Sequence, residues 1–448
     1  MNARVRRGRR RTPYPFLSRM KKFVSLSALA LALALPTFLV ARQATGPVSP
    51  AILYKPTPRP DRVILTWAAD PATTQAVTWR TDETVTKSVA QIIESDAGPK
   101  FEPQAQSVDA KTEALSTDLG FTAHYHSVVF RNLKPSTAYS YRVGDGQNWS
   151  EWFTFKTASA KAEPFSFIYF GDVQNGIRSL WSRVFRRAYS DHPEAKFFLY
   201  AGDLVNRANQ DADWAELHEG PGWVNGCTPT IPTPGNHETE KDAEGIYRLS
   251  RHWRPEFTLP ENGPRGLEET CYTLDYQGVR IISLNSNERH QDQAQWLEGQ
   301  LKNNPMRWTV VTFHHPVFSS AERRDNPEIR AIWKPIFDKY KVDLVLQGHD
   351  HTYARGGLKN VPDHGTMYVV SVSGSKMYDL NPQSWMNRRA EDTQFYQVIR
   401  VDKDKLTYEA RMASGELYDA FELRKRSGQT NQLVEKTPRT PERRRKAE

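Results

Sequence analysis

The chain has 448 residues, of which 38% are hydrophobic and 11% aromatic, and its formal net charge is +9. This length and composition predict two folded domains with tails and exclude a wholly disordered chain. The positive charge lies at the ends: residues 1–22 hold nine Lys/Arg and no acid, and residues 424–448 hold nine Lys/Arg and three Glu. The body, residues 23–423, therefore carries a net charge of −6. We expect no nucleic acid among its partners, because a basic face is not indicated.

The amino-terminal residues have the pattern of an export signal. Nine positive charges precede the apolar residues 23–41, and small residues follow, with Ala41 and Ala44 as candidate cleavage points. The apolar run is also about long enough to span a bilayer, so an uncleaved anchor stays an alternative. Residues 1–46 are predicted to be a signal peptide or signal anchor. We expect an exported protein that is periplasmic, secreted or anchored to the outer side of the membrane, with membrane contact only through this segment.

Residues 47–60 are rich in proline and predict an extended linker. In residues 61–158, apolar and polar residues alternate within short segments that turn residues separate. This pattern is typical of a small antiparallel β-sandwich. Residues 132–139 resemble the turn and tyrosine of fibronectin type III domains, so we predict a sandwich of that type.

The pattern changes in residues 163–425, where strand-like apolar runs alternate with helical segments at about 177–190, 211–217 and 327–340. This alternation predicts a layered α/β domain. Residues 426–448 are polar and basic, and they predict a disordered tail.

The chain contains two cysteines, Cys227 and Cys271. In an exported protein they could form one disulfide, and they could equally stay free. A zinc site built on them is not expected, because no further thiol or imidazole stands beside them in the sequence.

Polar side chains that can bind metals follow five of the predicted strands. They are Asp172, Asp203, Asn236, His314, and the pair His349 and His351. Open α/β folds bind ligands at the ends of their strands, so these side chains are candidates for one site. Together they form a mixed oxygen and nitrogen donor set, which suits Zn, Mn or Fe better than Ca or Mg. Six such groups are too many for one tetrahedral ion and are about right for two ions that share a carboxylate.

The order of these motifs resembles that of the calcineurin-like metallophosphoesterases. The motifs are GD at 171–172, GD at 202–203, GNHE at 235–238, HxP at 314–316 and GHDH at 348–351. With the preceding sandwich, they resemble the purple acid phosphatase branch of that family over residues 55–425. The resemblance implies an α-β-β-α sandwich in the second domain, and a centre of two divalent or mixed-valence ions of Fe, Zn or Mn.

The resemblance also implies a role for each residue. Asp172 and His351 would bind one ion, Asp203 would bridge both, and the other ion would be bound by Asn236, His314 and His349. His237 would contact the phosphate of the substrate.

Two positions near the first ion depart from the family pattern. Asn206 stands where purple acid phosphatases have a tyrosine, and Gln174 stands where other metallophosphoesterases have a histidine. Asn206, Gln174 or a water molecule are the alternatives for the extra ligand, and without a phenolate a pair of divalent ions is plausible. In mammalian-type members a histidine near the leaving group occupies the place of residues 321–323, so the proton donor stays unassigned.

These observations predict an exported, acid phosphatase-like enzyme whose partner is a small phosphate-ester substrate. A metal-bound hydroxide would attack phosphorus while both ions neutralise charge on the phosphoryl oxygens. A phosphodiesterase or nucleotidase of the same family is an alternative, and so is a surface binding protein with a weakened metal site. The sequence contains neither a GxSxG motif nor a GxxxxGK[ST] phosphate loop. We expect residues 371–376 to form a strand and turn beside the site.

Overall fold

The computed structural model describes residues 46–357 and 365–445. Apart from Gly46, the predicted signal segment lies outside these residues. Within the described ranges, no helix combines the length and hydrophobicity that a membrane crossing requires. The predicted linker is partly helical rather than extended throughout, because Pro50–Leu53 forms a short helix, α1. A proline at the first position suits this helix, since that position needs no backbone hydrogen-bond donor.

The first domain is a β-sandwich. Its strands are β1 (Asp61–Thr66), β2 (Gln75–Asp82), β3 (Val89–Glu94), β4 (Gln106–Asp109), β5 (Lys111–Ser116), β6 (Thr122–Phe130), β7 (Ala138–Gly144) and β8 (Phe153–Lys156), with a 3₁₀ turn at Glu102–Gln104. They form two antiparallel sheets in the orders β1-β2-β6-β5 and β4-β3-β7-β8. Inward side chains of the two sheets share one core, in which Trp79 and Tyr141 are fully buried. The predicted antiparallel sandwich is confirmed.

The turn and tyrosine that we predicted within residues 132–139 are also present. The hydroxyl of Tyr139 accepts a hydrogen bond from the backbone N–H of Lys134 over 2.9 Å. Elsewhere in the chain, Cys227 and Cys271 are both free thiols, so the structure has no disulfide between them.

The second domain contains two larger sheets and a hairpin. Its strands are β9 (Phe165–Phe170), β10 (Phe198–Ala201), β11 (Thr230–Thr233), β12 (Thr239–Lys241), β13 (Tyr247–Leu249), β14 (Tyr272–Tyr276), β15 (Val279–Ser283), β16 (Trp308–Thr312), β17 (Leu344–Gln347), β18 (Tyr353–Gly356), β19 (Met367–Val370), β20 (Met386–Ala390), β21 (Phe395–Asp402), β22 (Lys405–Met412), β23 (Leu417–Arg424) and β24 (Gln432–Glu435). Sheet I has the order β11-β10-β9-β21-β22-β23-β24, and sheet II has the order β14-β15-β16-β17-β19-β18-β20.

Within the described residues, the second domain also contains five helices. They are α2 (Ser182–Asp191), preceded by a π-helical turn at Ile177–Trp181, α3 (Asp211–Glu219), α4 (Trp253–Glu256), α5 (His290–Lys302) and α6 (Pro327–Tyr340), with 3₁₀ turns at Gly222–Gly226 and Asn236–Glu238. Of these helices, α2 packs on sheet I, and α5 and α6 pack on sheet II. Phe185 of α2 stacks on Phe170 of sheet I, with ring centroids 5.7 Å apart. Leu297 of α5 and Trp333 of α6 share a core with Val311 of sheet II.

The inner faces of sheets I and II pack on each other. Phe167 and Tyr169 of β9 lie in the same buried core as Val310 of β16 and Leu346 of β17. The layers are therefore helix, sheet, sheet and helix, which confirms the predicted α-β-β-α sandwich. In sheet II the central strands β15, β16, β17 and β19 run parallel, and in sheet I the strands β9, β10 and β11 at one end of the sheet run parallel.

The prediction of a disordered tail is wrong for much of residues 426–448. β24 pairs antiparallel with β23 at the edge of sheet I. Glu435 accepts a hydrogen bond from the buried side chain of Arg355 over 2.6 Å, and the N–H of Arg443 donates to the hydroxyl of Tyr418 over 3.0 Å. Backbone pairing and a buried arginine thus order a polar segment that has no hydrophobic pattern of its own.

A buried ionic cluster joins the sandwich to the second domain. Arg62 of β1 makes a two-point contact with Asp211 at the start of α3, with N–O distances of 2.9 and 2.7 Å. Arg62 also donates to Glu256 of α4 over 3.1 Å, and Tyr125 of β6 donates to the same carboxylate over 2.8 Å. All four residues are buried. We call this group the interface cluster.

Candidate metal centre

The six predicted ligands meet where the strands of both sheets end. Asp172, Asp203 and Asn236 follow β9, β10 and β11 of sheet I, whereas His314, His349 and His351 follow β16 and β17 of sheet II. All three oxygen donors therefore come from one sheet, and all three imidazoles come from the other.

One group of donors contains Asp203, His314 and His349, whose ligand atoms lie within 4.8 Å of one another. The amide oxygen of Asn236 joins it, 3.1 Å from Nε2 of His314 and 3.0 Å from Nδ1 of His349. We call this four-residue group the second cluster.

The other group of donors contains Asp172, Asp203 and His351, and their ligand atoms also lie within 4.8 Å of one another. Nε2 of His351 lies 3.6 Å from Oδ1 of Asp172. We call this group the first cluster. Because Asp203 belongs to both clusters, its carboxylate stands where a bridging ligand is expected.

The backbone around the ligands is unusual. Asp172, Asp203, His349 and His351 all have positive φ angles, between 35° and 76°. Non-glycine residues seldom adopt this conformation, and where they do they are concentrated at functional sites. The donors also crowd the backbone, because a Cβ atom at Gly348 would lie 2.6 Å from Oδ2 of Asp172. A side chain at position 348 would therefore displace a carboxylate of the first cluster.

Two of the imidazoles are oriented by backbone carbonyls. Nδ1 of His314 donates to the carbonyl of Ala201 over 3.0 Å, and Nδ1 of His351 donates to the carbonyl of Lys376 over 2.9 Å. In both rings Nε2 is thereby turned towards the donors, as metal-binding histidines require. Lys376 belongs to residues 371–376, which lie beside the site as a loop after β19 and do not include the predicted strand. Gly374 of this loop donates its N–H to the carbonyl of Asp172 over 2.6 Å.

The electrostatics of the clusters favour a cation. Burial lowers the pKa of His351 to about 3, and burial together with His314 lowers the pKa of His349 below its usual range. These rings are neutral at pH 7 and keep a lone pair for a ligand bond. Burial and the nearby carboxylate of Asp203 raise the pKa of Asp172 well above its usual range. Two buried carboxylates with neutral imidazoles fit divalent metal ions, whose charge would relieve this repulsion.

His314 differs from the other two rings. Burial would lower its pKa, but the Asp203 carboxylate, 3.1 Å from its Nε2, raises that pKa to about 9. A cation in the second cluster would take the place of the proton that these two side chains share.

His237 lies at the edge of the clusters. Its Nδ1 donates to the carbonyl of Asn206 over 2.6 Å, and its Nε2 is 4.0 Å from Oδ2 of Asp203. The side chain is 26% exposed, so one edge of the ring is open to a substrate.

Sequence reasoning missed Glu238, the last residue of the GNHE motif. Its buried carboxylate accepts the backbone N–H groups of Gly235, Asp203, Leu204 and Val205 over 2.7 to 3.1 Å. It holds the loop that carries Asp203 against the loop that carries Asn236. The GNHE motif could have indicated this residue, because an acid that directly follows two site residues is a candidate for holding them in position.

Arg324 was also missed. Its guanidinium donates to the carbonyl of His349 over 2.9 Å and lies over the ring of Tyr378, 4.6 Å from the centroid. No pattern in the sequence distinguishes it from its charged neighbours Glu322 and Arg323. The structure places this positive charge directly behind a candidate ligand.

A cavity of about 560 Å³ opens beside the second cluster. Its lining residues include Asn236, Tyr247, Ser286, Asn287, His290 and His315. His315 lies beside the donors, and its Nδ1 pairs with the hydroxyl of Ser286 over 2.8 Å.

The two candidates for an extra ligand lie in different places. The carboxamide of Gln174 is buried in the first cluster, where its Nε2 contacts Asp203 and His351. Asn206 instead lines a separate polar cavity of about 500 Å³.

Comparisons with known proteins match both domains. Residues 60–157 match the model of the purple acid phosphatase N-terminal domain, and residues 165–353 match that of the calcineurin-like phosphoesterases. The chain is similar to purple acid phosphatase 21 of Arabidopsis thaliana, with 26% identity over 72% of this chain and 75% of the relative. Acid phosphatase type 7 of Homo sapiens is 27% identical over 68% of this chain and 72% of its own length. An uncharacterized protein of Mycobacterium tuberculosis is 27% identical, over 65% of this chain and 61% of the relative.

Solved structures support the same fold. The purple acid phosphatase PPD1 of yellow lupin (Lupinus luteus) superposes with a TM-score of 0.70 and 18% identity, covering 81% of this chain and 74% of that protein. A structure of PhoD gives a TM-score of 0.62 at 13% identity, covering 86% and 94% of the two chains.

Fold and site together define a metal-dependent phosphoesterase. With both domain models matched and purple acid phosphatases among its relatives, the chain belongs to the purple acid phosphatase-like branch of the calcineurin-like metallophosphoesterases. It is accordingly a metal-dependent phosphatase by class.

Proposed function

We propose that this protein is an exported, acid phosphatase-like hydrolase of small phosphate esters that works with two metal ions. The observation that carries the proposal is the pair of donor clusters with Asp203 in common. Two ions that share a carboxylate can clamp both the attacking and the leaving oxygen of a phosphoryl displacement.

In this proposal Asp172 and His351 would hold the first ion, Asn236, His314 and His349 would hold the second ion, and Asp203 would be shared by both. When bound, the ions supply a nucleophile by lowering the pKa of water, and they neutralise charge on the phosphoryl oxygens. Fe, Zn and Mn all suit this donor set.

His237 orients the phosphoryl group. The carbonyl of Asn206 fixes the ring through Nδ1, so Nε2 is the nitrogen that can meet a substrate. In its protonated form, Nε2 would donate a hydrogen bond to a phosphoryl oxygen and stabilise the negative charge there.

Arg324 contributes a permanent positive charge. Its hydrogen bond to the carbonyl of His349 and its contact with Tyr378 fix the guanidinium next to the second cluster. The side chain is 29% exposed, so a dianionic phosphate would be attracted to it without first breaking a buried ion pair.

The cavity beside Asn236 and His315 would receive the alcohol part of the ester. Its lining combines the ring of Tyr247 with polar groups of Ser286, Asn287 and His290. Such a surface fits a polar organic group that offers both a flat face and hydrogen-bonding atoms.

Export rests on the sequence pattern of residues 1–46. A positive segment followed by an apolar run and small residues is the pattern of a secretory signal. The protein would then work in the periplasm, outside the cell, or anchored to the outer side of the membrane.

The test combines elemental analysis of the purified full chain with turnover of a chromogenic phosphate monoester and a diester. We expect about two ions per chain, hydrolysis of an ester, and loss of hydrolysis on chelation. Asp203→Asn should lower kcat by about 10² to 10³-fold, because it weakens both clusters at once. Asp292→Asn, at an exposed carboxylate of α5, is the matched control.

Two ions bound without hydrolysis of either ester would contradict the proposed enzyme. Full activity in Asp203→Asn would contradict the assignment of the bridging ligand.

A further inference from the structure

We infer that the carboxamide of Gln174, and not that of Asn206, is the additional ligand of the first cluster. This inference rests on the proposed function, since it assumes a metal ion between Asp172, Asp203 and His351. It assigns the oxygen that replaces the phenolate of purple acid phosphatases in this chain.

The position of Gln174 is the first argument. The side chain is completely buried, and its Nε2 lies 2.7 Å from Oδ2 of Asp203 and 3.1 Å from Nε2 of His351. Both of these atoms are donors of the first cluster. The end of the Gln174 side chain is therefore already inside the candidate metal site.

The second argument concerns which atoms accept hydrogen bonds. His351 uses Nδ1 to donate to the carbonyl of Lys376, so its Nε2 carries a lone pair. Oδ2 of Asp203 is also an acceptor. The amide N–H group of Gln174 thus lies between these two acceptor atoms. A cation that bound both atoms would occupy the same place.

The third argument is the amide oxygen. Among the described residues, Oε1 of Gln174 has no hydrogen-bond partner although it is buried. A buried carbonyl without a partner costs about 1–3 kcal/mol. The oxygen and nitrogen of a carboxamide exchange places by rotation about one bond, so a cation between the acceptors would draw Oε1 towards itself.

The backbone of Gln174 is fixed for this purpose. The N–H groups of Val173 and Gln174 both donate to the carbonyl of Asp203 over 3.0 Å. On the other side, Gly374 packs so closely that a Cβ there would lie 2.4 Å from the carbonyl of Gln174. The side chain is therefore held towards the first cluster by the loops on both sides.

Asn206 lacks each of these features. Its backbone carbonyl is used by His237, and its partly exposed side chain lines a cavity with Asn175, Arg178 and Glu216. Its side chain makes no hydrogen bond to a residue of the first cluster within the described part of the chain.

The assignment has a chemical consequence. A carboxamide is neutral, whereas a phenolate adds a negative charge. With Gln174 as ligand, the only negative charges of the first cluster are those of Asp172 and Asp203. This donor set suits a divalent ion, and it gives no phenolate-to-iron charge-transfer band.

Calorimetric titration of the metal-free full chain with Zn²⁺ tests the inference, with Gln174→Ala compared to Asn206→Ala. We expect two binding events in the native chain. Gln174→Ala should weaken one of them by about 10-fold or more and leave the other unchanged. Asn206→Ala should bind both ions with native affinity. Native affinity in Gln174→Ala, or the weakening in Asn206→Ala instead, would overturn the assignment.

Gln174→Glu is the control for loss of folding in Gln174→Ala, because it keeps the shape of the side chain and the ligand oxygen. It should bind two ions, and circular dichroism should show native structure. In the Co²⁺-loaded protein, Gln174→His should change the visible absorption of one ion, and Asn206→His should not. An unchanged spectrum in Gln174→His would contradict the inference. Failure of the native chain to bind two ions would instead overturn the proposed function on which it rests.

Discussion

The interface cluster and the metal centre are both buried groups of charged side chains, but their negative charges are compensated differently. At the interface, Arg62 and Arg80 neutralise Asp211 and Glu256 with side chains of the same chain. At the centre, Asp172 and Asp203 are surrounded by imidazoles, of which His349 and His351 are neutral, and no lysine or arginine of the described residues pairs with either carboxylate. The charges of the interface cluster are compensated as the chain folds, whereas those of the metal centre require bound cations.

The carboxylate pKa values express this difference. Burial would raise the pKa of Asp211, but the Arg62 guanidinium holds it well below its usual range. Burial acts on Glu256 in the same direction, yet His218 and Arg62 lower its pKa to about 2. At the centre, burial and the neighbouring Asp203 carboxylate outweigh the opposing effect of His314, so the pKa of Asp172 is raised. Asp203 behaves differently, because burial would raise its pKa but His314 lowers it below its usual range. The raised pKa of Asp172 thus distinguishes this carboxylate of the metal centre from the two carboxylates of the interface cluster, whose pKa values are lowered.

The largest expected effect comes from removing the arginine of the interface. Arg62→Ala removes the two-point partner of the buried Asp211 and one of the partners of the buried Glu256, and should lower the free energy of unfolding by about 3–5 kcal/mol. Urea denaturation measures this loss. Arg254→Ala, at a half-exposed arginine of α4, is the control and should cost less than about 0.5 kcal/mol. Equal stability of both variants would mean that the interface does not depend on this ion cluster.

Acid should weaken the interface through Glu256. Its pKa is about 2 in the folded chain against an ordinary 4.5, so its contribution is complete above pH 4.5 and declines as the pH falls towards 2. Between pH 6 and pH 3, the native chain should lose about 2 kcal/mol more unfolding free energy than Glu256→Gln, which cannot titrate. Urea midpoints across this range check the prediction, and parallel curves for the two proteins would contradict it.

The smallest expected effect concerns substrate binding at the metal centre. Arg324 is a guanidinium beside the centre that is not committed to a close carboxylate, since its nearest, Asp350, is 3.9 Å away. Arg324→Gln should raise KM for a phosphate monoester by about tenfold and leave the metal content unchanged. Arg323→Gln, at the exposed neighbouring residue, should leave KM as it is. Loss of metal in Arg324→Gln would show that Arg324 supports the ligands rather than the substrate.

The sequence predicted the fold well where hydrophobic periodicity was strong. Helix α6 was predicted at about 327–340, as observed. The exposed strands β4 and β5 were missed because only Leu115 in them is buried, so they carry no alternating apolar pattern. The ordered tail was missed for a related reason, since contacts with Arg355 and Tyr418 order it.

For the candidate site, local motifs sufficed to name the six donors that the structure brings together. They did not reveal Arg324, which no motif marks, or the interface cluster, in which Arg62 meets Asp211 across 149 positions of the chain. Nor could they decide between Gln174 and Asn206, because both stand beside motif residues. That choice depends on which side chain points inward, and spacing along the chain does not give the direction.

The division of the donors between the two sheets has a consequence for how the protein is assembled. Neither sheet alone offers both the oxygens and the nitrogens that an ion would need, so metal capture must follow the docking of sheet I on sheet II. An ion held there would then act as a cross-link between them, and it would slow their separation more than their meeting. Metal loading would thus be the last step of maturation, and it would lock a fold that has already formed.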